Sequence, residues 1–304
     1  MLAFSTNWSA SRHKEGGALI DEILAMGFDT VELGHGLSTS LLHGIRERHA
    51  TGDFHVVSVH NFCPMPVEIL TDNPDCYEFT SAKPRERDRA RRLTLQSMAT
   101  ASEFGGRYVV LHLGRIAALG GMSDGLLDQL RKEGVADRAY CRAKLEAVLR
   151  REKAGPAVLR RLIRLLEPLV EEATRRNLVL VAENRSDFEA VPTEREMLSL
   201  LAEFDSPHLR YWHDFGHAQM RENMGLLDHA QWLERIAPYA AGTHLQDAGW
   251  PDRDHMAPFH GMVDFTKLVP ILPAGIPYVL ELSHRNSRDT ILESAARWRD
   301  TFPE

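Results

Sequence analysis

Four acidic or imidazole side chains stand at the ends of apolar runs in the second half of the 304-residue chain, at nearly regular intervals. Glu183 closes Val179-Leu180-Val181-Ala182, and Asp214 follows Tyr211-Trp212-His213. His244 lies in Gly242-Thr243-His244-Leu245, and Glu281 closes Tyr278-Val279-Leu280. The successive spacings are 31, 30 and 37 residues. A carboxylate leaving an apolar strand is costly to ionise alone, and three that converge would repel one another. A divalent cation resolves that conflict. Two Glu, one Asp and one His form an oxygen-rich shell that suits Mn, Mg, Co or Zn and does not choose among them. Three further histidines occupy comparable places: His60 in Ser58-Val59-His60-Asn61, His112 in Val110-Leu111-His112-Leu113, and His217 just after Asp214. They could bind substrate oxygens or hold an additional, second metal. A lone strand-end His is ordinarily structural, and a lone Glu can pair with an Arg such as Arg185. The joint spacing is what points to a metal site.

The elements that must position these residues are legible as an alternation. Apolar runs near 2–7, 28–33, 54–60, 107–113, 178–183, 209–214, 240–246 and 277–282 read as strands. Helical patterns fall near 14–26, 38–50, 84–104, 137–152, 156–176, 193–203, 225–236, 264–272 and 287–301. Pro84 suits a first helical turn, Gly27 and Gly105 suit helix ends, and Ser38 and Thr193 suit caps. Eight strands each followed by a helix, with near-continuous apolar interiors, predict an α/β fold with a parallel sheet buried on both faces. An open doubly wound sheet would place a glycine-rich phosphate loop after its first strand, whereas here Asn7-Trp8-Ser9-Ala10-Ser11 follows. The expectation is a single-domain (β/α)8 TIM barrel over 1–304, in which the strand ends converge on the axis at the C-terminal face. Residues 114–155, after the fourth strand, exceed one barrel unit and read as an insertion, either a lid or a packing surface.

Thirty-six basic against 43 acidic residues give a net charge of −7, which argues against a polyanionic partner such as nucleic acid. The stretch from Arg85 to Arg92 alternates with acids and reads as a solvated helix face. Cys63, Cys76 and Cys141 are too few and scattered for a disulfide framework or a four-cysteine metal site. No run approaches a membrane span, and Met1–Asn7 lacks a basic stretch ahead of a long apolar one, so a cytoplasmic location is expected and the sequon at Asn7 reads as chance.

Through Ala182-Glu183-Asn184, Asp214-Phe215-Gly216-His217-Ala218, Thr243-His244-Leu245-Gln246-Asp247 and Leu280-Glu281-Leu282, the chain resembles the xylose-isomerase-like barrel superfamily, which holds sugar isomerases and epimerases and the zinc-cluster apurinic endonucleases. The resemblance implies that Glu183, Asp214, His244 and Glu281 match the single-metal shell of the ketose 3-epimerase branch. There the metal holds two neighbouring substrate oxygens, and the two glutamates double as catalytic bases. The implied reaction is proton transfer on a keto-sugar or sugar phosphate through a metal-stabilised enediolate. His217 would then bind a substrate oxygen. His60, His112, His255 and Arg285 are further substrate-binding candidates, with Arg285 alternatively a rim salt bridge. Trp8, His35 and Phe62 would form an apolar wall for the sugar ring, or pack at the rim. A homo-oligomer is frequent in such families.

The endonuclease branch, a zinc metallo-phosphodiesterase, would add His60, His112, His217 and His255 as ligands. It also expects an Asp two residues before that last His, where this chain has Arg253, and Asp252 or Asp254 would serve only after a register shift. The family's glycine pair is altered too, with Phe259 at the first position and Gly261 at the second. The missing carboxylate and the added cation argue against a full three-zinc cluster. A lyase or dehydratase using the same enediolate remains an alternative, as does a barrel that only binds a metal–polyol complex.

Overall fold

A computed structural model describes residues 1–303. Eight parallel strands close into a barrel: β1 (Leu2–Ser5), β2 (Thr30–Leu33), β3 (His55–His60), β4 (Tyr108–Leu111), β5 (Val179–Glu183), β6 (Leu209–Asp214), β7 (Ala240–Leu245) and β10 (Tyr278–Leu280). Around the ring they run β1-β10-β7-β6-β5-β4-β3-β2. A short antiparallel pair, β8 (Asp247–Gly249) and β9 (Arg253–Met256), stands between β7 and β10. The helices are α1 (Gly16–Leu24), α2 (Thr39–His49), α3 (Pro84–Glu103), α4 (Met122–Glu133), α5 (Arg138–Arg176), α6 (Glu194–Phe204), α7 (Phe215–Asn223), α8 (His229–Ile236), α9 (Phe265–Leu268) and α10 (Arg288–Thr301).

Strand periodicity explains why the functional residues share one layer. Side chains two apart face the same side of a sheet. Inside the ring an apolar layer of Ala3, Val57, Val110, Val179, Val181, Trp212 and Val279 fills the barrel. Two residues further along, the same faces of β5, β6 and the last strand deliver Glu183, Asp214 and Glu281. Trp212 is the largest plug, and Gly242 of β7 makes room for it, since a Cβ there would collide with the indole. His244, two residues past Gly242, lies edge-on above that indole with ring centroids 5.5 Å apart. The larger apolar core lies between the barrel and its helices.

The helix signals hold in detail. Pro84 occupies the first turn of α3, Ser38 accepts the Leu41 N–H, and Thr193 and Glu196 form a capping box. Gly27 and Gly105 adopt left-handed φ of 84° and 70° after α1 and α3.

Three expectations need correction. The helices expected at 137–152 and 156–176 are one 39-residue helix that runs through Pro156 and Pro168. An interior proline costs about 3 kcal/mol, but the buried stripe Ala147, Arg151, Gly155, Leu162, Leu166 and Leu169 continues across the expected break. Gly155 leaves space for the buried Arg151–Glu196 pair, whose Nη2–Oε2 distance is 2.7 Å. Second, the glycine-bearing segment after the fourth strand contains α4, which packs Leu126, Leu127 and Leu130 against Tyr140 and Met224. Third, α7 starts directly at Phe215, where a loop was expected, because the Asp214 carboxylate caps it by accepting the His217 N–H at 2.7 Å. No helix among the described residues is long and apolar enough to cross a membrane.

Candidate metal centre

Glu183, Asp214, His244 and Glu281 are all buried, and one ligand atom from each lies within 4.8 Å of the others. His244 Nδ1 is 3.1 Å from Glu281 Oε2, 3.5 Å from Glu183 Oε1 and 3.8 Å from Asp214 Oδ2. It nevertheless forms no hydrogen bond to any of them. Its other nitrogen, Nε2, is 3.2 Å from Oε2 of the buried Glu32, which also accepts from Ser58 Oγ at 2.7 Å. With the Nε2 proton donated to Glu32, Nδ1 faces three carboxylate oxygens, carrying a proton when no metal is bound or offering its lone pair to one that is. A cation is what satisfies such a set, and an orienting carboxylate behind a ligating His is the usual arrangement. The residues present therefore fit a divalent ion.

The electrostatics agree. Burial lowers the pKa of His244, but Glu281, Glu32 and Glu183 more than offset it and raise it well above the usual imidazole range. Burial raises Glu183 and Glu281, and neighbouring histidines reverse that and hold both well below the carboxylate range. Asp214 goes the other way: burial raises its pKa and the repulsion of Glu183 adds to this, against the pull of His217 and His244. The field concentrates negative charge around His244 Nδ1, where a doubly charged ion would be drawn.

The opposite half of the mouth is lined by imidazoles held from behind. His35 Nδ1 is 2.5 Å from Asp72, and its Nε2 is 3.9 Å from Glu281 Oε1. His60 Nδ1 is 2.9 Å from the Asn61 carbonyl, with Nε2 3.5 Å from Glu183 Oε2. His112 lies between Asp75 at 2.9 Å and Glu183 Oε2 at 3.0 Å. Burial and Arg185 push the pKa of His112 down, and Asp75 and Glu183 raise it to about 9. Arg185 also lies 3.4 Å from Glu183 Oε1, the pairing the sequence suggested.

His217 reaches the cluster through Nδ1, 3.1 Å from Glu183 Oε1 and 3.4 Å from Asp214 Oδ2. His255, at a φ of 50°, turns Nε2 to 3.8 Å from Glu281 Oε2. Burial lowers its pKa, but Asp254 and Glu281 raise it to about 10.

The expected loss of a carboxylate near His255 is overturned. Arg253 points outward and donates to Met256 Sδ at 3.0 Å, whereas Asp254 faces His255 at 3.2 Å and forms a compact group with His217 and His255. The antiparallel β8–β9 pairing sets this register, and Arg253 lines the adjoining cleft rather than the His217–Asp254–His255 group. Phe259, at the altered glycine position, adopts the left-handed φ of 69° that glycine favours.

Trp8 and Phe62, expected either as a wall or as rim packing, are both buried. Trp8 is 3% exposed, donates its indole N–H to the Asn286 carbonyl at 3.0 Å and packs edge-on to Phe4. Phe62 is buried against Tyr77. Arg285 is exposed, forms no ion pair among the described residues, and lines a cleft of about 790 Å³ that also includes Asp254, His255 and Ser283.

Sequence reasoning missed Glu32, Asn7, Asp75 and the ordering roles of Asn184 and Gln246. Asn7 donates to Glu281 Oε1 at 3.1 Å, and Gln246 donates to Asp214 Oδ2 at 2.7 Å. Glu32 had a usable signal, a carboxylate inside the apolar Thr30-Val31-Glu32-Leu33.

This barrel, with titratable side chains from its strand ends meeting at one mouth, defines an α/β-barrel protein with a metal-type constellation. The chain belongs to the xylose isomerase-like TIM barrel family, whose model matches residues 20–301. Among solved structures it is similar to a D-tagatose 3-epimerase-like protein, at 18% identity and a TM-score of 0.70, covering 99% of this chain and 96% of that one. A putative xylose isomerase from Rhodospirillum rubrum aligns at 14% identity and a TM-score of 0.71, covering 99% of both chains. The 3-keto-D-glucoside 4-epimerase YcjR from E. coli aligns at 14% identity and a TM-score of 0.65, covering 98% of both. At these identities the likeness is one of fold. No curated protein matches the sequence.

Proposed function

We propose that the protein is a divalent-metal-dependent isomerase or epimerase of a keto-sugar, with Glu183, Asp214, His244 and Glu281 as the metal ligands. The observation that carries this reading is the buried His244 Nδ1, aimed at three carboxylates and hydrogen-bonded to none. The ion, Mn, Mg, Co or Zn, would supply Lewis-acid stabilisation for the charge that develops on substrate oxygens as a neighbouring carbon loses its proton. Glu183 and Glu281 come from strands separated by β6 and β7 around the ring, so they can flank a substrate, one removing a proton and the other returning it. His112, His217 and His60 stand beside Glu183 and would hold substrate oxygens, with Arg185 next to them. His255, and Arg285 in the adjoining cleft, would receive the far end of the substrate. The family and the sugar epimerases that share its fold support this substrate class.

A second reading has its own observation. His60, Glu183 and His244 form one further group with metal-ligand geometry, and His217, Asp254 and His255 another, which suits a multi-metal phosphodiesterase. Metal content of the purified protein separates the two, because one ion per chain favours the isomerase and three favour the phosphodiesterase. Solvent deuterium wash-in next to the carbonyl, across a panel of keto-sugars, then tests proton abstraction directly. Absence of exchange with metal bound would defeat the isomerase reading, and a lyase or dehydratase would instead yield a product that has lost water or carbon. Within residues 114–155, Ser123 at the start of α4 donates to the buried Glu189 through both its backbone N–H and its hydroxyl.

A further inference from the structure

A chain of buried polar groups runs from the outer helix layer to the backbone of Asp214. His229 Nε2 on α8 lies 3.0 Å from His213 Nε2 on β6, and His213 Nδ1 lies 2.9 Å from the Tyr211 hydroxyl. Tyr211 is 2.8 Å from Asn184 Oδ1 and also receives the Trp232 indole N–H at 3.1 Å. Asn184 then grips Asp214 on both sides. Its Oδ1 accepts the Asp214 N–H at 2.8 Å, and its Nδ2 donates to the Asp214 carbonyl at 2.9 Å. The Asn184 carbonyl lies 3.1 Å from His217 Nδ1.

Counting protons fixes the direction of the chain. Asn184 Oδ1 cannot donate, so the single Tyr211 proton must go to it. The Tyr211 oxygen is then an acceptor, and His213 must carry its proton on Nδ1. Both histidines are buried among aromatic rings with no carboxylate hydrogen-bonded to either imidazole, and a charge there would be unpaired, so both are neutral. His213 Nε2 is consequently a lone pair, and His229 donates to it from Nε2. The remaining His229 Nδ1 is the end of the line, buried and without a hydrogen-bond partner. Every link but this last atom is satisfied in one sense only, so the amide of Asn184 cannot flip without breaking the series.

We propose that Tyr211, His213 and His229 are positioning residues for Asp214, acting through the side chain of Asn184. Tyr211 and His213 alternate with Trp212 and Asp214 along β6, so the strand buries its ring-filling face and carries the support on its other face. The inference rests on Asp214 being a metal ligand.

Mn²⁺ titration of the full-length protein, with the melting temperature measured in parallel, tests it. Asn184→Asp replaces the donating NH2 with an oxygen that faces the Asp214 carbonyl, and Tyr211→Phe removes the proton that orients Asn184. Both should weaken Mn²⁺ binding by roughly 10- to 100-fold, the range found for second-layer groups at metal sites. At the far end, His229→Leu should weaken binding less. His229→Gln, whose amide can still donate to His213, should restore it, which a packing role would not require. Wild-type Mn²⁺ affinity in all four variants, with only the melting temperature lowered, would overturn the positioning role while leaving the metal site standing. Failure of the wild-type protein to bind Mn²⁺ or another divalent ion would overturn both.

Discussion

Histidines occur in two surroundings in this barrel. In the mouth, the buried His112 and His244 and the half-buried His255 have raised pKa values, because carboxylates outweigh the cost of desolvation, whereas burial and the neighbouring His35 and His112 lower that of His60. A few ångströms outside the sheet, His213 and His229 are equally buried and have lowered values, because their neighbours are aromatic rings and each other. For His112 and His244 on one side and His213 and His229 on the other, burial is alike and its consequence opposite. Positive charge is invited at one end of β6's inner face and excluded from its outer face. This contrast separates a cation-binding centre from its neutral support, and each experiment below removes one side of it.

Removing the cation is the most drastic break. Exhaustive chelation should abolish proton exchange, and restoring Mn²⁺ should recover it. An ion held at about 100 times its dissociation constant adds roughly 2.7 kcal/mol. For a chain of this size that is a shift of the melting temperature of about 4 °C, measured by calorimetry with and without metal. An unchanged melting temperature together with unchanged activity would end the metal reading. Next in size, Glu183→Gln and Glu281→Gln each remove a proposed base and should lower turnover by roughly 10²- to 10⁴-fold. Turnover within a few-fold of wild type in either variant would exclude that residue as a base.

The sequence carried the barrel and the four central residues because both are periodic. Apolar strands recur at one-unit spacing, and their last inward residues carry the chemistry. What lay outside that period was hidden. Glu32 and Asn7 approach the centre from the first two strands, hundreds of residues from Glu281 and His244 in sequence, and only ring closure makes them neighbours. The side of β9 that faces His217 depends on its pairing with β8, so the endonuclease resemblance put Arg253 rather than Asp254 in the place of the acidic residue. Trp8 follows a strand, but the meeting of its indole N–H with the Asn286 carbonyl of the last loop depends on ring closure and was not legible. The proline-bearing helix α5 was divided by a local rule that its long buried stripe overrode.

A milder change sharpens the contrast within the mouth. Asp75→Asn removes one of the two carboxylates that hold His112 charged and should lower its pKa from about 9, followed by NMR titration of the chelated protein. A raised folded value stabilises the protein fully below the unfolded pKa of about 6.5, and this is lost as pH rises through the folded value. The variant should therefore lose stability relative to wild type chiefly at acid and neutral pH and match it in alkali. An unmoved His112 titration would show that Glu183 alone holds its proton.

The smallest effect belongs to the outer layer and has the opposite sign. His229 is lowered from 6.5 to about 3 by burial, so the unfolded chain binds a proton there that the folded chain refuses. Between those values the unfolded state carries more protons, and stability must rise with pH. The contribution is complete above pH 6.5 and is lost progressively as pH falls towards 3. His213, shifted in the same direction, adds to the slope. His229→Gln has no proton to take up, so its stability, measured by urea unfolding at a series of pH values, should fall less steeply than wild type's between pH 6.5 and 4. The two curves should run parallel above pH 7.5. Parallel curves throughout the acid range would mean that His229 is protonated in the folded protein. The neutral pair, and with it the fixed direction of the chain that ends at Asp214, would then be lost.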